Sequence, residues 1–181
     1  VYNGGTLYID DGKPVGTFFQ HTVNNLKEIA PSVYFNVPKG FELLVKHLRK
    51  DSQLRELFFS RVKMLFYAGA GISQPVWDAL EDLALQTCGE KILILTGLGC
   101  TETAPAALFT NAPGGFAGWI GRPLPGVEVK LKSVGNKIEI RFRGDNVTPG
   151  YWRNPELTAK AFDEDGYYCT GDAVKFVDDS D

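Results

Sequence analysis

Apolar residues recur along this chain with two different periods, and the change of period divides it. Up to about residue 110, short continuous apolar runs alternate with stretches of helical spacing. Residues 33–37, 62–66 and 92–95 are buried-strand candidates, each closed by turn residues. Between the first two, Phe41, Leu44, Val45 and Leu48 share one helical face, and a second short helix carries Leu54, Leu57 and Phe58. Between the last two, Val76, Leu80 and Leu83 face one way on a helix with Ser73 or Gln74 at its cap, Pro75 in its first turn and Gly89 at its end. The strands start at 33, 62 and 92, separations of 29 and 30 residues, the length of a β-α-β crossover. Right-handed crossovers then build a parallel sheet covered by helices. Upstream, residues 7–9 form a further short strand candidate, and Thr22 can cap a helix that buries Val23, Leu26 and Ala30.

Beyond Thr110 the period shortens to two. Residues 111–126 hold five glycines and three prolines, too many breakers for a regular element. Val127, Val129 and Leu131 then alternate with charged residues, as do Ile138, Ile140 and Phe142, with Gly135 and Asn136 in a connection of hairpin length. A short helix over 155–162, a turn at 163–166 and a last strand over 172–177 complete the expectation, before an acidic end at 178–181. The fold class is α/β: a parallel sheet with covering helices, then a smaller antiparallel β-rich part.

Composition narrows the function. A hydrophobic share of 44% with 23% charged residues is globular, not disordered. No run of lysine or arginine exceeds a pair and the net charge is −3, which argues against a nucleic-acid surface and leaves small molecules or proteins as partners. No apolar run approaches the roughly 18 residues of a membrane span. Three cysteines without C-x-x-C spacing suggest neither a disulfide frame nor a zinc site, and a cytoplasmic setting is expected. The chain opens on valine and its one methionine is Met64, so it was either processed or cut from something longer.

The candidate chemistry lies where the strands end. In an open α/β sheet, ligands bind beyond the carboxyl ends of the strands. Three such ends carry polar or small-residue loops, at 36–40, 68–71 and 96–103. Gly69, Ala70 and Gly71 let a flat ring lie against bare backbone. Thr101 offers a hydroxyl to a phosphate oxygen, and Glu102 a hard oxygen to Mg²⁺. Asp172, directly after a glycine, suits the two hydroxyls of a ribose. Taken singly, each has a plain structural reading as well: a strand-to-helix turn, an exposed glutamate, a turn aspartate. His21 and His47 have no partner at ligand spacing and read as structural, and 144–146 and 149–150 read as turns.

Four strings in order, T-G-L-G-C-T-E-T, G-R-P-L-P-G-V-E-V-K, F-R-G-D-N-V-T-P-G-Y-W-R-N-P-E-L-T-A-K-A-F and Y-C-T-G-D, resemble the core motifs of the adenylate-forming enzymes, among them acyl- and aryl-CoA synthetases, firefly luciferase and peptide-synthetase adenylation domains. The upstream strings L-Y-I-D-D-G-K-P, Y-F-N-V-P-K-G and F-Y-A-G-A-G-I-S-Q-P-V-W-D-A-L resemble the feruloyl-CoA synthases of that superfamily. The resemblance implies a flavodoxin-like subdomain over 1–112 and part of a distorted barrel over 113–181. It implies that Gly69, Ala70 and Gly71 face one side of adenine and Thr96, Gly97 and Leu98 the other, that Thr101 touches the α-phosphate, that Glu102 holds Mg²⁺ and that Asp172 binds the ribose. Tyr34, Asn36 and the Gly97 backbone would border an aryl-acid pocket. Leu98 stands where the family usually has a tyrosine stacked on adenine. The implied reaction uses ATP, Mg²⁺ and CoA: an aromatic carboxylate attacks the α-phosphate and expels pyrophosphate, and a CoA thiol then attacks the acyl-adenylate. The family's Ser/Thr/Gly-rich phosphate loop and its lysine-bearing C-terminal domain are not in this sequence, so the chain is expected to be an internal fragment, inactive without those parts. Related alternatives are a fatty acyl-CoA ligase, a carrier-loading adenylation domain and a non-catalytic nucleotide-binding module.

Overall fold

A computed structural model describes residues 4–178, so the acidic end lies outside the described residues from 179 onward. The chain forms two compact units, one of residues 4–95 with Pro113–Gly118, the other of Thr96–Ala112 with residues 119–178.

In the first unit a 3-10 turn, Gly16–Phe18, leads into α1, Phe19–Glu28. This helix starts earlier than its sequence pattern suggests, because Thr22 does not cap it. Thr22 is buried inside the helix and its hydroxyl donates to the Asp10 carboxylate, which also accepts from Asn25 Nδ2 at 2.8 Å and from the Gly12 N–H at 2.9 Å. The expected strand at 7–9 does not form. Leu7, Tyr8 and Ile9 pair with no strand among the described residues and stand exposed, Ile9 to 88%.

β1 (Val33–Asn36), β2 (Met64–Tyr67) and β3 (Leu93–Leu98) follow the expected spacing, in the order β1-β2-β3, with β1 parallel to β2. Between them stand α2 (Pro38–Lys50), α3 (Ser52–Phe59) and α4 (Gln74–Cys88). Pro38 opens α2, where a missing N–H is harmless, and the Asp51 carboxylate caps α3 by accepting the Leu54 N–H at 3.0 Å. Gly89 ends α4 in a left-handed conformation, φ 75°, that side chains rarely adopt. The expected apolar faces are the buried ones: Phe41, Leu44, Val45 and Leu48 of α2 and Leu80 and Leu83 of α4 enter one core with Leu65, Phe58 and Val62. Each such side chain, fully withdrawn from water, contributes about 1.5–3 kcal/mol.

The second unit begins within β3. Its Gly97 and Leu98 pair antiparallel with β4 (Leu108–Phe109), which pairs in turn with β5 (Arg122–Pro123). A separate antiparallel sheet orders β6 (Glu128–Val134), β7 (Lys137–Arg143) and β8 (Tyr168–Val174), with α5, Pro155–Ala161, before the last strand. Ala107, Leu108, Ile140 and Phe142 form this unit's core. The expected division after residue 112 differs from this grouping. Residues 96–112 belong with the β-rich half because Ala107 and Leu108 share their core with β7. The last strand starts at Tyr168, not at 172, since Tyr168 and Cys169 pair with Phe142 and Arg141. The fold is thus α/β with a mixed sheet and a separate three-stranded antiparallel sheet.

Candidate functional site

Residues 96–98, expected as loop, are strand. Thr96 is buried, and the Thr110 hydroxyl holds it on both sides, accepting the Thr96 N–H at 2.7 Å and donating to the Thr96 carbonyl at 2.9 Å. Gly97 lies opposite Phe109, where a Cβ would come within 2.9 Å of the Leu108 carbonyl and 3.2 Å of the Phe109 ring. Leu98 packs half-buried against the second unit's core. At Gly99 any Cβ would collide with the Pro105 carbonyl, so only glycine lets the chain turn there.

The turn itself is the 3-10 segment Thr101–Thr103. The Thr103 side chain is buried and accepts the Cys100 N–H at 2.9 Å, which closes the loop on itself. Thr101 is exposed. The Glu102 carboxylate is fixed from outside: the Tyr151 phenol donates to its Oε1 at 2.8 Å. Its backbone carbonyl accepts the Thr148 N–H at 2.8 Å, and the Asn146 amide donates to the carbonyls of Thr103 and Ala106, both at 2.9 Å. Asn146, Thr148 and Tyr151, in and around the stretches 144–146 and 149–150 that the sequence reads as turns, are therefore the clasp of this loop. Hydrogen bonding from Tyr151 in the first place, then from the loop backbone, Cys100 and Tyr168, holds the Glu102 carboxyl below the usual carboxylate range. Burial pushes the neighbouring Cys100 thiol up, so it is a poor nucleophile.

Asp172 is exposed and sits in an irregularity of β8. Arg141 pairs with Cys169 but Glu139 pairs with Ala173, so residues 170–172 bulge opposite Ile140. Gly171 takes φ 75° there and donates its N–H to Glu139 Oε1 at 3.0 Å, while the Asp172 N–H donates to the Thr170 hydroxyl at 3.0 Å. The bulge turns a position of a regular strand into a carboxylate on a kink. Thr96, Gly97, Leu98, Thr101, Glu102 and Asp172 thus belong to one unit.

Tyr34, Asn36, Gly69, Ala70 and Gly71 belong to the other. Gly69 (φ 89°), Ala70 and Gly71 are exposed, and a Cβ at either glycine would meet nothing, so the loop after β2 is bare, open backbone. Tyr34 is buried, edge-on to Phe41 and Phe58 at ring separations of 5.7 and 5.4 Å. Asn36 Nδ2 donates to its hydroxyl at 2.7 Å, and burial, against that hydrogen bond, pushes the phenol up to about 12. Asn36 Oδ1 accepts the Val37 N–H at 2.8 Å. No pattern in the sequence announced the Tyr34–Asn36 bond or the Tyr151–Glu102 bond. The signal available for the latter was a tyrosine set directly after a Pro-Gly turn.

Among the described residues no group of three or more histidines, cysteines or acids could hold a metal ion, and no helix is long and apolar enough to cross a membrane. Residues 1–152 match the family described as AMP-binding enzyme, and the chain belongs to that family. It is 29% identical over 153 residues to a malonate–CoA ligase of Arabidopsis thaliana, covering 82% of this chain and 24% of that one. It is 30% identical over 180 residues to an anthranilate–CoA ligase of Pseudomonas aeruginosa, covering 94% of this chain and 31% of that one. Among solved structures, a malonyl-CoA ligase in a ternary product complex with methylmalonyl-CoA and AMP matches with a TM-score of 0.65 and 27% identity, covering 86% of this chain and 33% of that one. The chain thus spans about a quarter to a third of the length of these two curated relatives.

Proposed function

We propose that this chain supplies the nucleotide- and acid-binding part of an ATP-dependent acid–CoA ligase acting on an aromatic, hydroxycinnamate-like acid such as ferulate. The observation that carries the reading is the rigid β3 turn, which presents an exposed Thr101 hydroxyl beside a clasped, ionised Glu102 carboxylate within a family match that spans it. In this reading Thr101 donates to the α-phosphate, Asp172 accepts the ribose hydroxyls and the strand at 96–98 borders the nucleotide. In the other unit, the bare backbone at 69–71 is assigned to the nucleotide and Tyr34 and Asn36 to the acid. The carboxylate oxygen attacks the α-phosphorus as the bond to the pyrophosphate oxygen breaks. The CoA sulfur then attacks the acyl carbon and AMP leaves.

Glu102 fits Mg²⁺ as one hard oxygen donor of a site completed by nucleotide phosphates, since Mg²⁺ is commonly held by one or two carboxylates plus substrate oxygens. The ion would neutralise phosphate charge there. Parts of the ligase beyond this chain would handle the remaining phosphates, and the chain is proposed to be inactive without them. A second reading keeps the adenylation and makes the acid aliphatic; the similarity to a malonate–CoA ligase favours it.

Calorimetric titration of AMP tests the reading, with Asp172→Ala expected to weaken binding about 10-fold or more through loss of a charged acceptor. Equal affinity for both proteins would refute the ribose role. Titrating ferulate, coumarate, malonate and a fatty acid into the AMP-saturated chain separates the two acid classes.

A further inference from the structure

Glu102 is tied at both ends to one short segment. Thr148 donates its N–H to the Glu102 carbonyl, and three residues later the Tyr151 phenol donates to Glu102 Oε1. Tyr151 is itself anchored. Its N–H donates to the Thr158 hydroxyl of α5 at 2.9 Å, and the Thr148 hydroxyl donates to the Gly150 carbonyl at 2.9 Å. Gly150, at φ 143°, lies so close to Thr158 that a Cβ there would press on the Thr158 methyl and hydroxyl. The Tyr168 hydroxyl stands beside that of Tyr151, and burial foremost keeps Tyr168 protonated. A flexible glutamate on a surface turn would sample several rotamers. Here a phenol on an anchored backbone selects one.

The geometry points to Tyr151 as a positioning residue. By holding Oε1 of Glu102, its phenol presets the direction in which the carboxylate meets a divalent cation arriving with nucleotide phosphates. The inference rests on the reading of Glu102 as a metal ligand. A carboxylate can accept about four hydrogen bonds or ligands, and the direct one at 2.8 Å, from the Tyr151 phenol to Oε1, leaves it capacity for a cation. Tyr151 itself touches neither nucleotide nor acid in this scheme. Its effect should therefore appear in the metal-dependent part of nucleotide binding and nowhere else.

The test is equilibrium dialysis of ATP against the 181-residue chain, once with Mn²⁺ and once with EDTA, the ratio of the two dissociation constants giving the metal coupling. Tyr151→Phe, which removes one oxygen, should reduce that coupling about 3- to 10-fold, the cost of ordering one rotamer-rich side chain on binding, and leave the EDTA constant unchanged. Glu102→Gln should abolish the coupling. Glu102→Asp keeps the charge but withdraws it from the phenol, so it should lose coupling too, and this variant serves if Tyr151→Phe does not fold; adding Tyr151→Phe to it should cost nothing more. A Tyr151→Phe protein weakened equally with and without metal would make the phenol merely structural and overturn the inference. Wild-type coupling in Tyr151→Phe alongside its loss in Glu102→Gln would overturn the inference while Glu102 kept its role. A wild-type coupling no larger than that of Glu102→Gln, absent binding included, would overturn the metal reading and this inference with it.

Discussion

Gly40→Ala ought to destabilise this protein, although alanine in place of glycine inside a helix ordinarily gains about 0.5–1 kcal/mol. Gly40 lies in the first turn of α2, and a Cβ there would run into the side-chain amide of Asn36. The amide must swing away, which breaks its 2.7 Å bond to the Tyr34 hydroxyl and its 2.8 Å bond from the Val37 N–H. Leaving the hydroxyl of a buried tyrosine unpaired costs about 1–3 kcal/mol, and the lost backbone bond adds about 1 kcal/mol. Set against the helix gain, the net is a loss of about 1–3 kcal/mol. Urea unfolding followed by far-ultraviolet circular dichroism reads this directly, because α1 to α4 all belong to the unit that contains Gly40. In an Asn36→Ala background the obstacle is gone, and the same substitution should stabilise by about 0.5–1 kcal/mol. A Gly40→Ala protein more stable than the natural chain would refute the reasoning, as would the same sign in both backgrounds.

Alkali should expose the buried Tyr34 phenol. Its folded value of about 12 lies above the ordinary 10.0, so the stability it contributes is complete below pH 10 and is lost as pH rises from there toward 12. Over that window the natural chain should lose about 2–3 kcal/mol more than Tyr34→Phe, and parallel unfolding curves for the two would refute it. Thr110→Val keeps the shape but removes the hydroxyl that pins Thr96 on both sides. It should cost about 1–3 kcal/mol and speed hydrogen exchange at the Thr96 amide, which unchanged protection would contradict.

The parallel frame was legible because its strands are continuous apolar runs at crossover spacing, and the buried faces of α2 and α4 followed from period alone. What escaped depended on partners distant in sequence. Apolarity stops at Leu95, yet β3 runs on to Leu98, because Thr110 and Phe109 supply the pairing that hydropathy cannot reveal. Residues 7–9 carried the opposite lesson: β-forming side chains with no ladder beside them make no strand. At the candidate site, residue type and position were enough to nominate Thr101, Glu102 and Asp172. Tyr151 could not, since 49 residues separate it from the carboxylate it holds and its own neighbourhood reads as a turn.

The irregularity in β8 has a parity that matters. Between the pairs Arg141–Cys169 and Glu139–Ala173 the strand contains two residues more than its partner, not one. An odd insertion would have flipped every later side chain to the other face of the sheet. An even one leaves Tyr168 and Val174 aligned with Phe142 and Ile138 on a single face, so the ladder resumes as if uninterrupted. Asp172 is thereby carried on a detour whose length the sheet does not register. The detour is held to its neighbour strand by its own contacts, the Thr170 hydroxyl on the Ile140 carbonyl and the Gly171 N–H on Glu139.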